Sequence, residues 1–189
     1  MKKKISILGS TGSIGLNVLK ILNKQKNHFK INILAADKNY KLIYRQIKEL
    51  RPSIFLINNS LIYNKIKKKF KKKNVKILRS LILEKKKLTN SDITVSAIPG
   101  IAGLEPTLQL IKKSKKVLIA NKESIICGWN LIHKTAKKYK TKIIPVDSEH
   151  FSVMKLLDNC NIQDVKQIYL TASGGPFLNY NIKKFKYIK

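Results

Sequence analysis

Asp147 and Glu149 stand one residue apart in the stretch PVDSEH, residues 145–150, of a chain with 40 lysines and arginines against 10 aspartates and glutamates. In an extended segment, side chains at i and i+2 point to the same side, so two scarce carboxylates are expected to face one spot beside His150. Such a pair suits a hard divalent cation, Mg²⁺ or Mn²⁺, which takes oxygen ligands and leaves positions for substrate and water. A paired general acid and base is the alternative, and it needs more tuning of the two groups. The plain reading is a solvated pair at a strand end.

Four further stretches carry residue types that can act on a ligand. GSTGSIG, residues 9–15, follows the apolar run ISIL directly. Gly9 permits a tight turn, Gly12 lets the backbone approach a pyrophosphate, Gly15 lets a helix pack on the strand, and the helix N-terminus attracts phosphate. The spacing is G-x-x-G-x-x-G instead of G-x-G-x-x-G, but its place at the first strand, turn and helix is the expected one for a dinucleotide site. A little over twenty residues later the second apolar run ends in AADKN. There Asp37 suits a free ribose 2′-hydroxyl and Lys38 with Asn39 suits a 2′-phosphate, so the residues alone leave NAD and NADP open; a strand-end cap is the plain reading of Asp37. ANKES, residues 120–124, sets the Asn121 amide, the Lys122 ammonium and the Glu123 carboxylate in a row, either over a ligand crevice or as an ordinary helix start with polar caps. In TASGGPF, Ser173 and the amides of Gly174 and Gly175 are suited to hold an anion, although paired glycines more often only turn the chain.

Elements must position these groups, and the order of apolar runs says which. ISIL, INILAA, SIFLI, VKIL, DITVSAI, KVLIA and KIIPV read as strands. Between them lie helix-like stretches at Ile14–Asn23, Leu42–Leu50, the lysine-rich NKIKKKFKKKNVK, Leu104–Ile111 and Ile125–Tyr139. Strands separated by such helices imply βαβ units, hence a Rossmann-like, doubly wound α/β parallel sheet, with ligands bound at the carboxyl ends of the strands. After Pro145 the pattern changes to a short helix, FSVMKLLDNC, a strand, QIYLTAS, and the turn SGGPF. These are expected to begin a second, α+β domain. The boundary is placed at 146/147, giving a cofactor domain over 1–146 and the start of a catalytic, metal-binding domain over 147–189.

Composition sets the outer limits. At 43 % hydrophobic residues, the 189-residue chain can build a real core and is not a disordered basic tail. A net charge of +30 would point to nucleic acid or an anionic surface. The excess, however, is lysine spread along the whole chain together with much Ile and Asn, as A- and T-rich codons produce. In the densest run Tyr63, Ile66 and Phe70 recur at helical spacing, as on an amphipathic surface helix. The reading is a solvated face, with no nucleic-acid partner. The four-residue apolar run before Gly9 is too short for a signal core or a membrane span, and Cys127 and Cys160 lack metal-type spacing. A cytoplasmic protein with reduced thiols and no membrane association is expected.

Taken in order and spacing, GSTGSIG, ADKN, GIAGLEPT, ANKES, PVDSEH and SGGPF resemble the 1-deoxy-D-xylulose 5-phosphate reductoisomerase family over essentially residues 1–189, which correspond to the N-terminal part of a member. The resemblance implies an NADPH- and divalent-metal-dependent conversion of 1-deoxy-D-xylulose 5-phosphate, a small phosphorylated sugar, to 2-C-methyl-D-erythritol 4-phosphate for isoprenoid synthesis, by a homodimer. It implies cofactor contacts at Thr11, Gly12, Ser13 and Ile14, at Asp37, Lys38 and Asn39 toward the 2′-phosphate, and at Asn121 and Glu123. It implies substrate contacts at Lys122, Ser148, Glu149 and Ser173, metal ligation by Asp147 and Glu149, and catalytic roles for Lys122 and Glu149. Two departures stand out: an acid, Asp37, where members commonly carry a small or neutral residue, and the absence of the HPNWxMGxKI and MNKGLE segments that supply a third acidic ligand, further phosphate contacts and a lid. Outside the family, another nicotinamide-dependent oxidoreductase would need no metal. A catalytically incomplete, basic dinucleotide-binding remnant would bind DNA in a salt-sensitive way.

Overall fold

The structure is a computed structural model and describes residues 1–71, 74–79, 88–169, 181 and 185. It divides into two compact units, Met1–Asp147 and Ser148–Lys189.

Seven strands form the sheet of the first unit: β1 (Lys3–Leu8), β2 (Phe29–Ala36), β3 (Ile54–Ile57), β4 (Lys76–Leu78), β5 (Ser91–Ser96), β6 (Ser114–Ile119) and β7 (Lys142–Pro145). Between them run α1 (Ser13–Lys24), α2 (Tyr40–Leu50), α3 (Ser60–Lys69), α4 (Leu104–Ile111) and α5 (Lys122–Tyr139). The spatial order is β4-β3-β2-β1-β5-β6-β7, and each neighbouring pair is parallel. The chain builds outward from β1 in one direction and then, from β5, in the other. The strand order therefore reverses between β1 and β5, where a doubly wound sheet opens its ligand crevice.

Alternation along the strands decides which face each helix covers. Ile5, Ile7, Leu34, Phe55, Ile57 and Val95 point to one face and meet Leu19 and Leu22 of α1, Ile43 and Ile47 of α2 and Ile66 of α3. Their neighbours Leu8, Ile33, Ala35, Ile54 and Leu56 point to the other face, with Leu110 of α4. On that second face Val117 and Ile119 of β6 pack with Ile111 of α4 and Ile132 and Ala136 of α5. Fully buried side chains such as Phe55, Ile7 and Ile33 each contribute roughly 1.5–3 kcal/mol through removal from water, enough to fix which residues of a strand face inward.

The lysine-rich segment behaves as a surface helix. In α3 Ile66 is buried, Phe70 caps the end with its ring against Tyr44 at 5.3 Å, and Lys67 Nζ donates to the Tyr63 hydroxyl at 2.8 Å. Cys127 and Cys160 are free and exposed. Among the described residues no helix is long and apolar enough to cross a membrane.

In the second unit α6 (Ser148–Leu157) is followed by a 3₁₀ turn at Ile162–Asp164. The strand expected over QIYLTAS is described only for Gln167–Tyr169, which carry no regular structure. The remainder of that strand, and the SGGPF turn with Ser173, lie outside the described residues.

Candidate functional site

The glycine loop between β1 and α1 is shaped from within the protein at two of its three glycines. Gly9 has φ +82°, and a Cβ there would lie 2.5 Å from the Ala97 carbonyl oxygen, a conformation and an approach that only glycine tolerates. At Gly15 a Cβ would run into the Gly9 carbonyl and the Ser10 backbone, so the first turn of α1 seats directly on the loop. Gly12 differs: its φ is −79°, and the nearest atom to an added Cβ, the Gly9 oxygen, is 3.4 Å away. Nothing inside the fold demands a glycine at 12, and the space it leaves open faces a cavity.

Ser10 anchors the loop. Its Oγ donates to Gln46 Oε1 at 2.7 Å, Gln46 Nε2 donates back to the Ser10 carbonyl at 2.8 Å, and both residues are buried. The amides of Gly9 and Ser10 both bond the Ala35 carbonyl at 2.9 Å. The first turn of α1 carries no acidic residue, so its unpaired N–H groups and partial positive charge have no internal counter-ion and are open to an anion.

The cavity lies at the carboxyl ends of the strands and holds about 520 Å³, the size of a small-molecule site. Gly9, Thr11 and Gly12 form its middle. Ala35, Ala36, Asp37, Leu56, Asn58 and Arg79 line the side under β2, β3 and β4, and Ala97, Ile98, Pro99, Ala102, Glu105 and Pro106 line the side after β5. It therefore spans the switch point. Three open concavities of about 320–500 Å³ around Lys2 and Asn23–Lys30 sit at the amino ends of the strands, away from every motif.

Of the residues expected to touch a cofactor, Thr11, Gly12 and Asp37 line the cavity, whereas Ser13, Ile14 and Lys38 are exposed nearby without lining it. Asn39, and not Asp37, caps α2, with Oδ1 accepting from the Leu42 amide at 3.1 Å. Asn58 and Arg79 line the cavity although no motif pointed to them, and Glu105, inside GIAGLEPT, lines it although no role was expected of it. The places of Asn58 and Arg79 depend on the register between parallel strands, which leaves no local sequence mark.

Asn121 is buried and fully engaged. Its Oδ1 accepts from the Ser124 amide at 2.9 Å and so caps α5, and its Nδ2 donates to the carbonyls of Ile98 and, at 2.7 Å, Gly100. ANKES is thus a capped helix start, and the same side chain ties it to the loop that walls the cavity. Lys122 and Glu123 are exposed in the first turn of α5.

Asp147 closes the first unit and α6 opens at Ser148, so Glu149 belongs to a helix. The extended geometry assumed for Asp147 and Glu149 does not hold. A negative side chain in the first turn stabilises a helix start, and Glu149 stands there, its Oε2 accepting from the Ser148 hydroxyl at 3.1 Å. Among the described residues no three His, Cys, Asp or Glu side chains gather as a metal site. The donor chemistry of the two acids fits a hard cation, but as only part of its ligand set.

Comparison with known proteins decides the family. A family model described as 1-deoxy-D-xylulose 5-phosphate reductoisomerase matches residues 5–128, and the model of that enzyme's C-terminal domain matches residues 143–189. The chain belongs to the 1-deoxy-D-xylulose 5-phosphate reductoisomerase family. It is 48 % identical over 192 aligned positions to the reductoisomerase of Pelagibacter ubique, covering 98 % of this chain and 49 % of that one, and 44 % identical to that of Thermodesulfovibrio yellowstonii, covering 93 % and 46 %. The solved reductoisomerase of Zymomonas mobilis in complex with NADPH superimposes with a TM-score of 0.86 at 30 % identity, over 97 % of this chain and 49 % of that one. A reductoisomerase solved with NADPH, fosmidomycin and magnesium gives 0.80 at 30 % identity, over 98 % and 49 %. The chain spans about half the length of the reductoisomerases it matches.

Proposed function

We propose that this chain supplies the cofactor domain and the first metal ligands of an NADPH- and divalent-metal-dependent reductoisomerase that converts 1-deoxy-D-xylulose 5-phosphate to 2-C-methyl-D-erythritol 4-phosphate. The observation that carries this reading is the cavity at the β1/β5 switch point, walled by a glycine loop with an open position at Gly12 and an acid-free helix start. Bound there, NADPH supplies the hydride, and a divalent cation supplies Lewis acidity toward the ketone and a neighbouring hydroxyl.

The chain's own residues hold and orient. Thr11, Gly12, Ser13 and Ile14 present backbone and side-chain donors to the pyrophosphate. Asp37, Lys38 and Asn39 meet the adenosine ribose; since Asn39 Oδ1 is committed to α2, what it offers is Nδ2. Asn121 keeps the Ile98–Gly100 loop and the start of α5 in register, so that Glu123 reaches the cofactor and Lys122 places positive charge by the developing alkoxide. Asp147 and Glu149 ligate the cation. Ser148 and Glu149 meet the substrate, and Ser173 its phosphate. The division of labour falls at 146/147, in a cytoplasmic homodimer using Mg²⁺ or Mn²⁺.

The test is NADPH oxidation by the protein isolated from its native source. Loss of absorbance at 340 nm that needs both 1-deoxy-D-xylulose 5-phosphate and Mg²⁺ is expected. Oxidation that proceeds without either, or none at all, contradicts the proposal.

A further inference from the structure

The cofactor reading leaves a conflict at the ribose end, because Asp37 lines the cavity where a 2′-phosphate would sit and like charges repel. Lys38 is exposed and outside the cavity lining. The cation that does line it is Arg79, the residue after β4.

Strand register explains why this residue comes close. Ala35 of β2 is level with Leu56 of β3, and Leu56 is level with Leu78 of β4. One step further along, Arg79 comes level with Ile57 and Ala36, and Asp37 and Asn58 follow at once. Two inter-strand steps of about 4.8 Å, with β3 between, separate β2 from β4, so the Asp37 and Arg79 backbones lie roughly 10 Å apart across the carboxyl end of β3. A phosphorylated ribose seated in the cavity over the end of β3, where Leu56 and Asn58 line it, lies between an acid and a guanidinium.

Residue choice points the same way. The chain has only three arginines among its 40 basic residues. Arg45 pairs with Glu49 at 2.9 Å on the surface of α2, and Arg51 turns the chain after α2 with φ 45°. Arg79 alone of the three lines the cavity. A guanidinium binds phosphate through two parallel N–H donors in a fixed plane, which lysine cannot reproduce.

We propose that Arg79 is a specificity residue of the cofactor site, admitting a ribose 2′-phosphate beside Asp37 and so selecting NADPH over NADH. This rests on the cofactor site proposed above. Arg79 offsets the Asp37 carboxylate and binds the 2′-phosphate across the cavity, while Asp37 remains able to accept from an unphosphorylated 2′-hydroxyl.

The experiment is a titration of this chain with NADPH and, separately, NADH, followed by nicotinamide fluorescence, for the wild type, Arg79→Gln, Arg79→Lys and Asp37→Asn. Because Arg79 is exposed, its variants should keep the wild-type far-UV circular dichroism. Arg79→Gln is expected to weaken NADPH by about tenfold or more, the worth of a charged hydrogen-bond pair, with NADH unchanged. Arg79→Lys should fall between, and Asp37→Asn should favour NADPH further. NADPH affinity untouched by Arg79→Gln, or both cofactors weakened equally, would overturn the role of Arg79 while leaving the cofactor site intact. A wild-type chain that binds neither cofactor would overturn the site itself.

Discussion

Gln46 Nε2 donates to the Ser10 carbonyl at 2.8 Å while Ser10 Oγ donates to Gln46 Oε1 at 2.7 Å. This reciprocal pair links α2, which starts at the ribose-reading turn, to the glycine loop. One buried amide therefore sets the spacing between the two halves of a dinucleotide site. Replacing Gln46 with Leu leaves two buried polar groups of Ser10 without these partners, at a cost of about 1–3 kcal/mol. Urea unfolding of Gln46→Leu should show that loss, and its NADPH affinity should fall further than that of an equally destabilised variant in α5.

Glycines 12 and 15 should separate binding from folding. Gly15→Ala forces a Cβ into the Gly9 carbonyl and should lower the thermal midpoint clearly. Gly12→Ala meets nothing closer than 3.4 Å, so its stability should stay within about 0.5 kcal/mol of wild type while NADPH binding weakens. Equal stability loss in both would mean that the fold, and no ligand, requires Gly12.

Asn121→Ala removes three hydrogen bonds at once, those to Ile98, Gly100 and Ser124, and leaves two carbonyls without that partner. A stability loss of about 2–3 kcal/mol is expected, together with faster hydrogen exchange at the Ser124 amide. A variant as stable as wild type would show that the loop and α5 hold their places without it.

Asp92 makes acid stability testable. Lys115 Nζ lies 2.8 Å from Oδ1 and the Lys4 amide donates to Oδ2 at 2.8 Å. The Lys115 contact and then the Lys4 amide hold the carboxyl below its ordinary value of 3.8. A group whose pKa is depressed by folding stabilises the protein above its unfolded pKa and loses that contribution as pH falls through the folded value. The stability difference between wild type and Asp92→Asn should thus be constant above about pH 5 and shrink below pH 4. A difference that persists to pH 2 would contradict the pairing.

Much of this was readable before any coordinates, and the reason is local. The helix expected at Leu104–Ile111 has those bounds, and the seven apolar runs are the seven strands, because each carries its own periodicity. The helix expected from Ile125 in fact starts at Lys122, where Asn121 Oδ1 accepts from the Ser124 amide, the polar-capped helix start that ANKES also allowed. The PVDSEH segment misled through its proline: the strand ends at Pro145 and α6 takes over at Ser148, so strand geometry does not extend to Glu149. Asn58, Arg79 and Gln46 were silent for a different cause. Their roles arise from parallel register between strands and from helix packing, which join residues tens of positions apart and leave no pattern in either segment alone.

The most direct measurement is a calorimetric titration of this chain with NADPH, repeated with Gly12→Val. The account predicts one saturable site per chain that duplex DNA does not displace and that Gly12→Val abolishes. Absence of saturable binding, or binding that survives Gly12→Val, would contradict a cofactor site at the β1/β5 switch point.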